Sequence, residues 1–173
     1  GEAGVNVPDD GFLFVAHKFC KEHNVLFIGD EIQTGIARTG RLLACDYDNV
    51  RPDILILGKA VSGGMYPVSA VLADKHIMAV IHPAQHGSTY GGNPMACVVA
   101  MEALKIVVEE DLAKNAYHLG VLFRSRMKKL AEKSNLVSSV RGKGLLNAIL
   151  INDTPDSSTA MDICIALSKN GLL

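Results

Sequence analysis

The chain has 173 residues, 49% of them hydrophobic, and its 17 basic side chains balance 18 acidic ones to a net charge of −1. That balance argues against a surface built for nucleic acid or acidic lipid. No window approaches the roughly 18 consecutive apolar residues of a membrane-spanning helix, no charged-then-apolar leader opens the sequence, and no repeat or low-complexity tract interrupts it.

The sequence opens on GEAGVNVP without an initiator Met and stops on KNGLL, inside what reads as a helix-ending turn, so a segment of a longer protein is the expectation. Residues 9–24 carry an amphipathic helical pattern. The short apolar run VLFIG (25–29) follows and ends at Asp30. A helix feeding a buried strand is the grammar of a parallel sheet covered on both faces. His17, Cys20 and His23 are spaced three apart on that helix, and His82 and His86 form a second pair. Pro83 breaks the spacing of the second pair and no further ligands accompany either group, so both are read as structural and no metal is expected. Cys20, Cys45, Cys97 and Cys164 form no CxxC pair and fall mostly in apolar stretches, which predicts buried, unpaired thiols of a reducing compartment.

After a polar, glycine-bearing loop over 34–52, DILILG reads as a second buried strand and PVSAVLA as a third. Two strands thus end at chemically loaded residues, Asp30 and Lys59, where ligands sit in open α/β sheets. Lys59 does not belong to a phosphate-binding P-loop, because Asp53 and Ala60 stand where that motif needs a glycine and a hydroxyl residue. Three readings remain: a solvated strand-end lysine, a lysine in a catalytic ion pair, and a Schiff-base lysine. A partly apolar site favours the unprotonated amine the last requires, and Ala60, Ser62, Gly63 and Gly64 leave room for a flat ring. A Schiff-base cofactor such as pyridoxal phosphate also needs a carboxylate beside its pyridine nitrogen. Asp30 supplies one, with the capping of the following turn as the alternative. Its neighbour Glu31 points to the opposite face of an extended chain, so the two are a poor acid/base pair.

HGSTYGGNP then offers the hydroxyls of Ser88 and Thr89, flexible glycines, and a helix start with Asn93 as cap and Pro94 in the first position, a weak phosphate signal by itself. The helix over 94–109 is apolar nearly all round and is expected to be buried. A second helix, 112–133, presents Leu112, Ala116, Leu119, Phe123 and Leu130 as one core-facing stripe. Strands around VSSVRG and LLNAILI and a final helix near 156–169 look like the opening of a smaller α+β unit.

Taken together, Asp30 and Gln33 in DEIQTG, Lys59 in GKAVSGG and Thr89 in HGSTYGGNP match in order and approximate spacing the cofactor motifs of the class III (subgroup II) pyridoxal-phosphate aminotransferases. The resemblance runs through essentially all 173 residues. Within that family, ARTGRLLACDYDNVRPDILILGKAVSGGMYPVSAVLAD is similar to the ornithine type. The acetylornithine and 4-aminobutyrate types share the outline.

The resemblance implies an α/β fold of the type I pyridoxal-phosphate transferases. Residues 1–112 would be part of a large, mainly parallel-sheet domain and 113–173 the start of a small α+β domain. It implies that Lys59 carries the cofactor and shuttles the proton, Asp30 pairs with the pyridine nitrogen, and Gln33 bonds near the ring hydroxyl. Thr89, with Ser88 beside it, would bind the cofactor phosphate of the neighbouring subunit, making the site a property of a homodimer. Glu2 matches a glutamate that masks a substrate-carboxylate arginine, so that L-ornithine reacts through its side-chain amine and 2-oxoglutarate still binds afterwards. Arg38 and Arg141 are read as turn and domain-contact residues. The compartment implied is the mitochondrial matrix or, for other members, the cytoplasm.

Overall fold

The computed structural model describes residues 1–152, 154 and 156–172. Helix α1 (Phe12–Glu22) follows Gly11, whose φ of 84° ends the preceding loop, and no side chain of its own caps it. The carboxylate of Asp48 does so from a distance, accepting from the backbone N–H groups of Gly11 at 3.0 Å and Leu13 at 2.9 Å. A negative group thus meets the unsatisfied, positive end of the helix.

Strand β1 (Ile28–Asp30) pairs in parallel with β2 (Ile54–Leu57), with Asp30 opposite Ile56. Asp53 sets this register: its carboxylate accepts from Phe27 N at 2.9 Å while its own N–H donates to Phe27 O at 2.9 Å. Strand β3 (Ala70–Ala73) lies on the other side of β2 but runs antiparallel to it. The sheet is thus parallel at β1–β2 and antiparallel at β2–β3. A parallel return needs a crossover helix of a dozen residues or more. Here residues 58–69 hold only a short 3-10 turn, Lys59–Ser62, after which Gly63 and Gly64, at φ 62° and 82°, reverse the chain. The buried Ser62 locks the reversal by donating its hydroxyl to Tyr66 O at 2.5 Å.

A one-turn helix, α2 (Lys75–Met78), leads towards α3 (Pro94–Glu109), which starts as expected: Asn93 Oδ1 accepts from Ala96 N at 2.9 Å and Pro94 opens the helix. The face of α3 bearing Ala100, Leu104 and Val107 packs against a small core of Ile36, Leu57 and Val61. Its other face does not pack, which corrects the expectation of a buried helix: Val98 is 66% and Met101 69% exposed. The sheet is likewise not covered on both sides, since Ile28, Val71 and Leu72 are about half exposed.

Helix α4 (Leu112–Ala131) crosses the antiparallel hairpin of β4 (Val137–Lys143) and β5 (Leu146–Ile151), and α5 (Thr159–Lys169) ends the described chain. The buried positions of α4 are Ala116 and Gly120, while Leu119, Phe123 and Leu130 of the expected stripe are exposed. The hairpin approaches so closely that a Cβ on Gly120 would lie 1.9 Å from Gly144 O, so small residues and not large apolar ones mark the contact. Arg124 reinforces the crossing, donating to Gly144 O at 3.1 Å and to Asn147 Oδ1 at 2.7 Å.

The hairpin is tied to the first part of the chain by Leu145 N, which donates to Arg38 O at 2.9 Å, and by Lys143, whose ammonium lies 4.1 Å from the centre of the Tyr47 ring. No described helix is long and apolar enough to cross a membrane. All four cysteines are free, but only Cys45 is buried; Cys97 and Cys164 are exposed, contrary to expectation. His17 sits edge-on to Phe27 at 5.5 Å and His23 stacks on Phe19 at 4.1 Å, so both act as packing groups.

Candidate functional site

The carboxyl ends of β1 and β2 lie side by side, and Glu31 N donates to Ile56 O at 2.9 Å to keep them aligned. Asp30 and Glu31 then diverge as an extended chain requires. Asp30 is exposed and its Oδ1 accepts from Ile32 N at 3.1 Å, so it caps the following turn. Glu31 is 2% exposed and turns inward, where it accepts from Cys45 N at 2.8 Å and from the hydroxyl of Thr34. Burial, with this carboxylate beside it, pushes the Cys45 thiol up to about 12. Reasoning from the sequence missed the role of Glu31; the signal was Thr34 three residues on, within reach of the same turn.

Gly58 separates β2 from Lys59, which begins the 3-10 turn with φ 47°. A non-glycine residue in this left-handed region costs about 1 kcal/mol or more, and such strain concentrates at functional positions. Lys59 is exposed, so the apolar enclosure expected for it is not supplied by the residues around it. It lies instead in the wall between two cavities. One, of about 660 Å³, is lined also by Tyr66, Tyr90, Gly91 and Asn93 at the start of α3. The other, of about 760 Å³, is lined also by Gln33, Ile36, Arg38 and Leu146. Gly64 borders both and leaves the space between them open.

Ser88 and Thr89 line neither cavity. Ser88 Oγ accepts from Gly91 N at 2.9 Å, which shapes the turn leading to α3, and Thr89 is exposed. Asp30 also lies outside both linings, at the end of the neighbouring strand. Glu2, separated from the rest by some thirty residues of sequence, is brought in: Gln33 Nε2 donates to its carboxylate. The structure therefore gathers Lys59, Gln33 and Glu2 with the residues that open α3.

An amine at a strand end, a side-chain amide, a tyrosine and the positive end of a sixteen-residue helix form a donor set that suits a flat aldehyde carrying a phosphate. Lys59, Gln33 and the Tyr90–Asn93 turn thus fit pyridoxal phosphate directly. Asp30, Ser88 and Thr89 are not among the residues that line it.

The Aminotransferase class-III family model matches residues 1–173. The mitochondrial ornithine aminotransferase of Rattus norvegicus is 58% identical over 173 residues, all of this chain and 39% of the relative. Among solved structures, the acetylornithine aminotransferase of Elizabethkingia anophelis superposes with a TM-score of 0.97 at 68% identity, covering 100% of this chain and 43% of that one. The ornithine aminotransferase of Toxoplasma gondii does so with a TM-score of 0.94 at 49% identity, covering 100% and 41%. The chain therefore spans about two fifths of the length of the proteins it matches.

Proposed function

Because the chain belongs to the class-III aminotransferases, we propose that it forms the lysine-bearing part of a pyridoxal-phosphate-dependent ornithine aminotransferase. The reaction is transfer of the δ-amino group of L-ornithine to 2-oxoglutarate, giving glutamate and glutamate 5-semialdehyde, which closes to pyrroline-5-carboxylate. The observation that carries this reading is the position of Lys59, strained at a strand end and shared by the two cavities that bring Gln33 and the start of α3 to it.

Pyridoxal phosphate, when bound, supplies the electron sink that makes the substrate carbon acidic and takes up its amino group. Lys59 would hold the cofactor through its amine and would serve as the base that moves the proton at the substrate carbon. Gln33 is assigned to the ring oxygen and Asp30 to the pyridine proton, a role that requires its turn-capping bond to Ile32 to be exchanged. Thr89, with Ser88, is assigned to the cofactor phosphate of a neighbouring subunit. The site is then shared in a homodimer. Glu2 is assigned to masking a substrate-carboxylate arginine, so that L-ornithine reacts through its side-chain amine and 2-oxoglutarate still binds afterwards. Division into a large unit over 1–112 and a small one over 113–173 completes the proposal, with the mitochondrial matrix as compartment and the cytoplasm as alternative.

The likeness to the Elizabethkingia anophelis acetylornithine aminotransferase favours a second reading, in which the donor amine belongs to N-acetylornithine. Two measurements test these assignments. Borohydride reduction of the holoenzyme followed by peptide mass spectrometry finds the pyridoxyl mass on Lys59; its appearance on another lysine, or on none, sinks the assignment. Mixing the holoenzyme with each donor then separates the readings, because only the true donor bleaches the cofactor band at low concentration.

A further inference from the structure

The segment that carries Glu2 is a tight turn held to the body of the protein at few points. Gly4 N and Val5 N both donate to Gly1 O at 3.0 Å, and Asn6 Nδ2 donates to Ala3 O at 3.1 Å, so these bonds close the turn on itself. They do not fix its place. Among the described residues two side chains bond it from outside: Gln33, which bonds Glu2, and Arg141, whose Nε and Nη2 both donate to Gly4 O, at 3.0 and 2.5 Å. Arg141 comes from β4, 137 residues away in sequence, paired with Ala148 across the hairpin. The hairpin is itself seated against the chain by the Leu145–Arg38 bond and by the close Gly120–Gly144 contact. A planar guanidinium giving two charge-assisted bonds to one carbonyl fixes both the distance and the direction of that carbonyl, which an ammonium does not.

We propose that Arg141 is a positioning residue that holds the Glu2 turn over Gln33, and so sets how strongly the site discriminates a diamine donor from a dicarboxylate. The inference rests on the proposed role of Glu2. In the role assigned to it, a Glu2 carboxylate held in place covers the arginine that would otherwise take the α-carboxylate of an amino acid reacting through its α-amine, which steers ornithine to its side-chain amine and makes glutamate displace the pair. When the turn loosens, the carboxylate spreads over more positions and more water, and both effects weaken. Arg141 itself bonds Gly4 and is not among the residues that line the cavity.

The test uses the holoenzyme and its Arg141→Gln, Arg141→Lys, Gly4→Ala and Glu2→Gln variants, with the Glu2→Gln/Arg141→Gln double. Gly4→Ala attacks the same contact from the other side: its φ is 98°, and a Cβ there lies 3.1 Å from Arg141 Nη2. Half-reaction kcat/KM values are taken for ornithine and for glutamate. Hydrogen exchange of the Gly4 and Val5 amides is followed in the cofactor-free protein. Arg141→Gln and Gly4→Ala are expected to lower the ornithine-to-glutamate ratio roughly three- to tenfold, the loss expected of one charge-assisted contact. They also speed exchange over residues 1–6 while β4 and β5 stay protected. Arg141→Lys recovers part of the ratio, and the double variant adds nothing to Glu2→Gln. If Glu2→Gln leaves the ratio unchanged, the reading of Glu2 fails and the inference with it. If Glu2→Gln changes the ratio while Arg141→Gln and Gly4→Ala shift both half-reactions equally, or leave exchange over 1–6 as it was, the inference alone is overturned.

Discussion

Replacing Gly120 by alanine sets two physical effects of opposite sign against each other. Helix propensity alone says that Gly120→Ala, in the middle of α4, stabilises by about 1 kcal/mol. The structure says otherwise. The added Cβ would sit 1.9 Å from Gly144 O, 2.5 Å from Gly144 C and 2.9 Å from Gly144 Cα, all of them backbone atoms. Reaching the 3.4 Å of an ordinary contact from 1.9 Å needs a shift of 1.5 Å. The hairpin cannot retreat, because Gly144 is backed by the main chain of Arg38, Thr39 and Gly40, with Thr39 C already 2.3 Å from where its own Cβ would be. Helix α4 has to move instead, which breaks the 3.1 Å bond from Arg124 to Gly144 O and opens the packing around Ala116. Overpacking of this kind costs about 1–3 kcal/mol and the lost charged hydrogen bond about 1.5–3 kcal/mol, so a net loss of about 1.5–5 kcal/mol is expected after the propensity gain of about 1 kcal/mol. Urea unfolding of the holoenzyme and the variant, read as a midpoint shift at unchanged slope, measures it. A variant as stable as the parent, or more so, would refute the close helix–hairpin contact.

The thiol of Cys45 is pushed up from 9.0 to about 12 by burial and then by Glu31, so in the native protein at pH 8 iodoacetamide labels Cys97 and Cys164 and spares Cys45 until urea unfolds the chain. Since the folded state favours the protonated thiol, its contribution to stability is complete below about 9 and lost as pH rises towards about 12, and Cys45→Ala flattens that alkaline slope. The carboxyl of Asp53 is held below its ordinary value, first by the Phe27 N–H and then by Lys21. Its contribution is present above the ordinary carboxylate value of 3.8 and lost as pH falls through the depressed one, so Asp53→Asn is less stable than the parent at pH 7 and the gap closes in acid. An equal gap at pH 7 and in acid would place the effect outside that carboxylate.

Local chemistry was the legible part of this sequence. Asn93 and Pro94 announce α3 to the residue, and the hairpin strands lie within one residue of where alternation puts them. The order Asp30, Lys59, then a glycine-rich turn before a helix was enough to suggest the cofactor chemistry. What was lost depended on distance in space. Nothing near Arg141 points to Gly4, nor anything near Asp48 to the start of α1, because each bonds main-chain groups far away in sequence, and main-chain groups leave no trace in side-chain pattern. The direction of β3 was not legible for a different reason. PVSAVLA reads as a strand either way, and only Gly63 and Gly64, taken as room for a ring, carried the information that the chain reverses there. A glycine pair serves both purposes, and the sequence does not say which until the strand beyond it is placed.

The two corrected helices show what an apolar pattern does and does not encode. In α4 the expected stripe and the buried positions share one face, yet only Ala116 and Gly120 are buried on it, because a helix that crosses a hairpin at backbone distance admits only small residues at the crossing, and a hydropathy pattern does not rank those above leucine or phenylalanine. In α3 the pattern is apolar all round, yet only the side towards Ile36, Leu57 and Val61 is packed. An apolar residue records that burying it is favourable. It does not record by what. For α3 the described chain provides one layer of cover, on the side that also positions Asn93 and the turn next to Lys59. The placement of the site therefore depends on the packed face of α3 alone, and substitutions at Val98 or Met101 should disturb that placement less than equal changes at Leu104 or Val107.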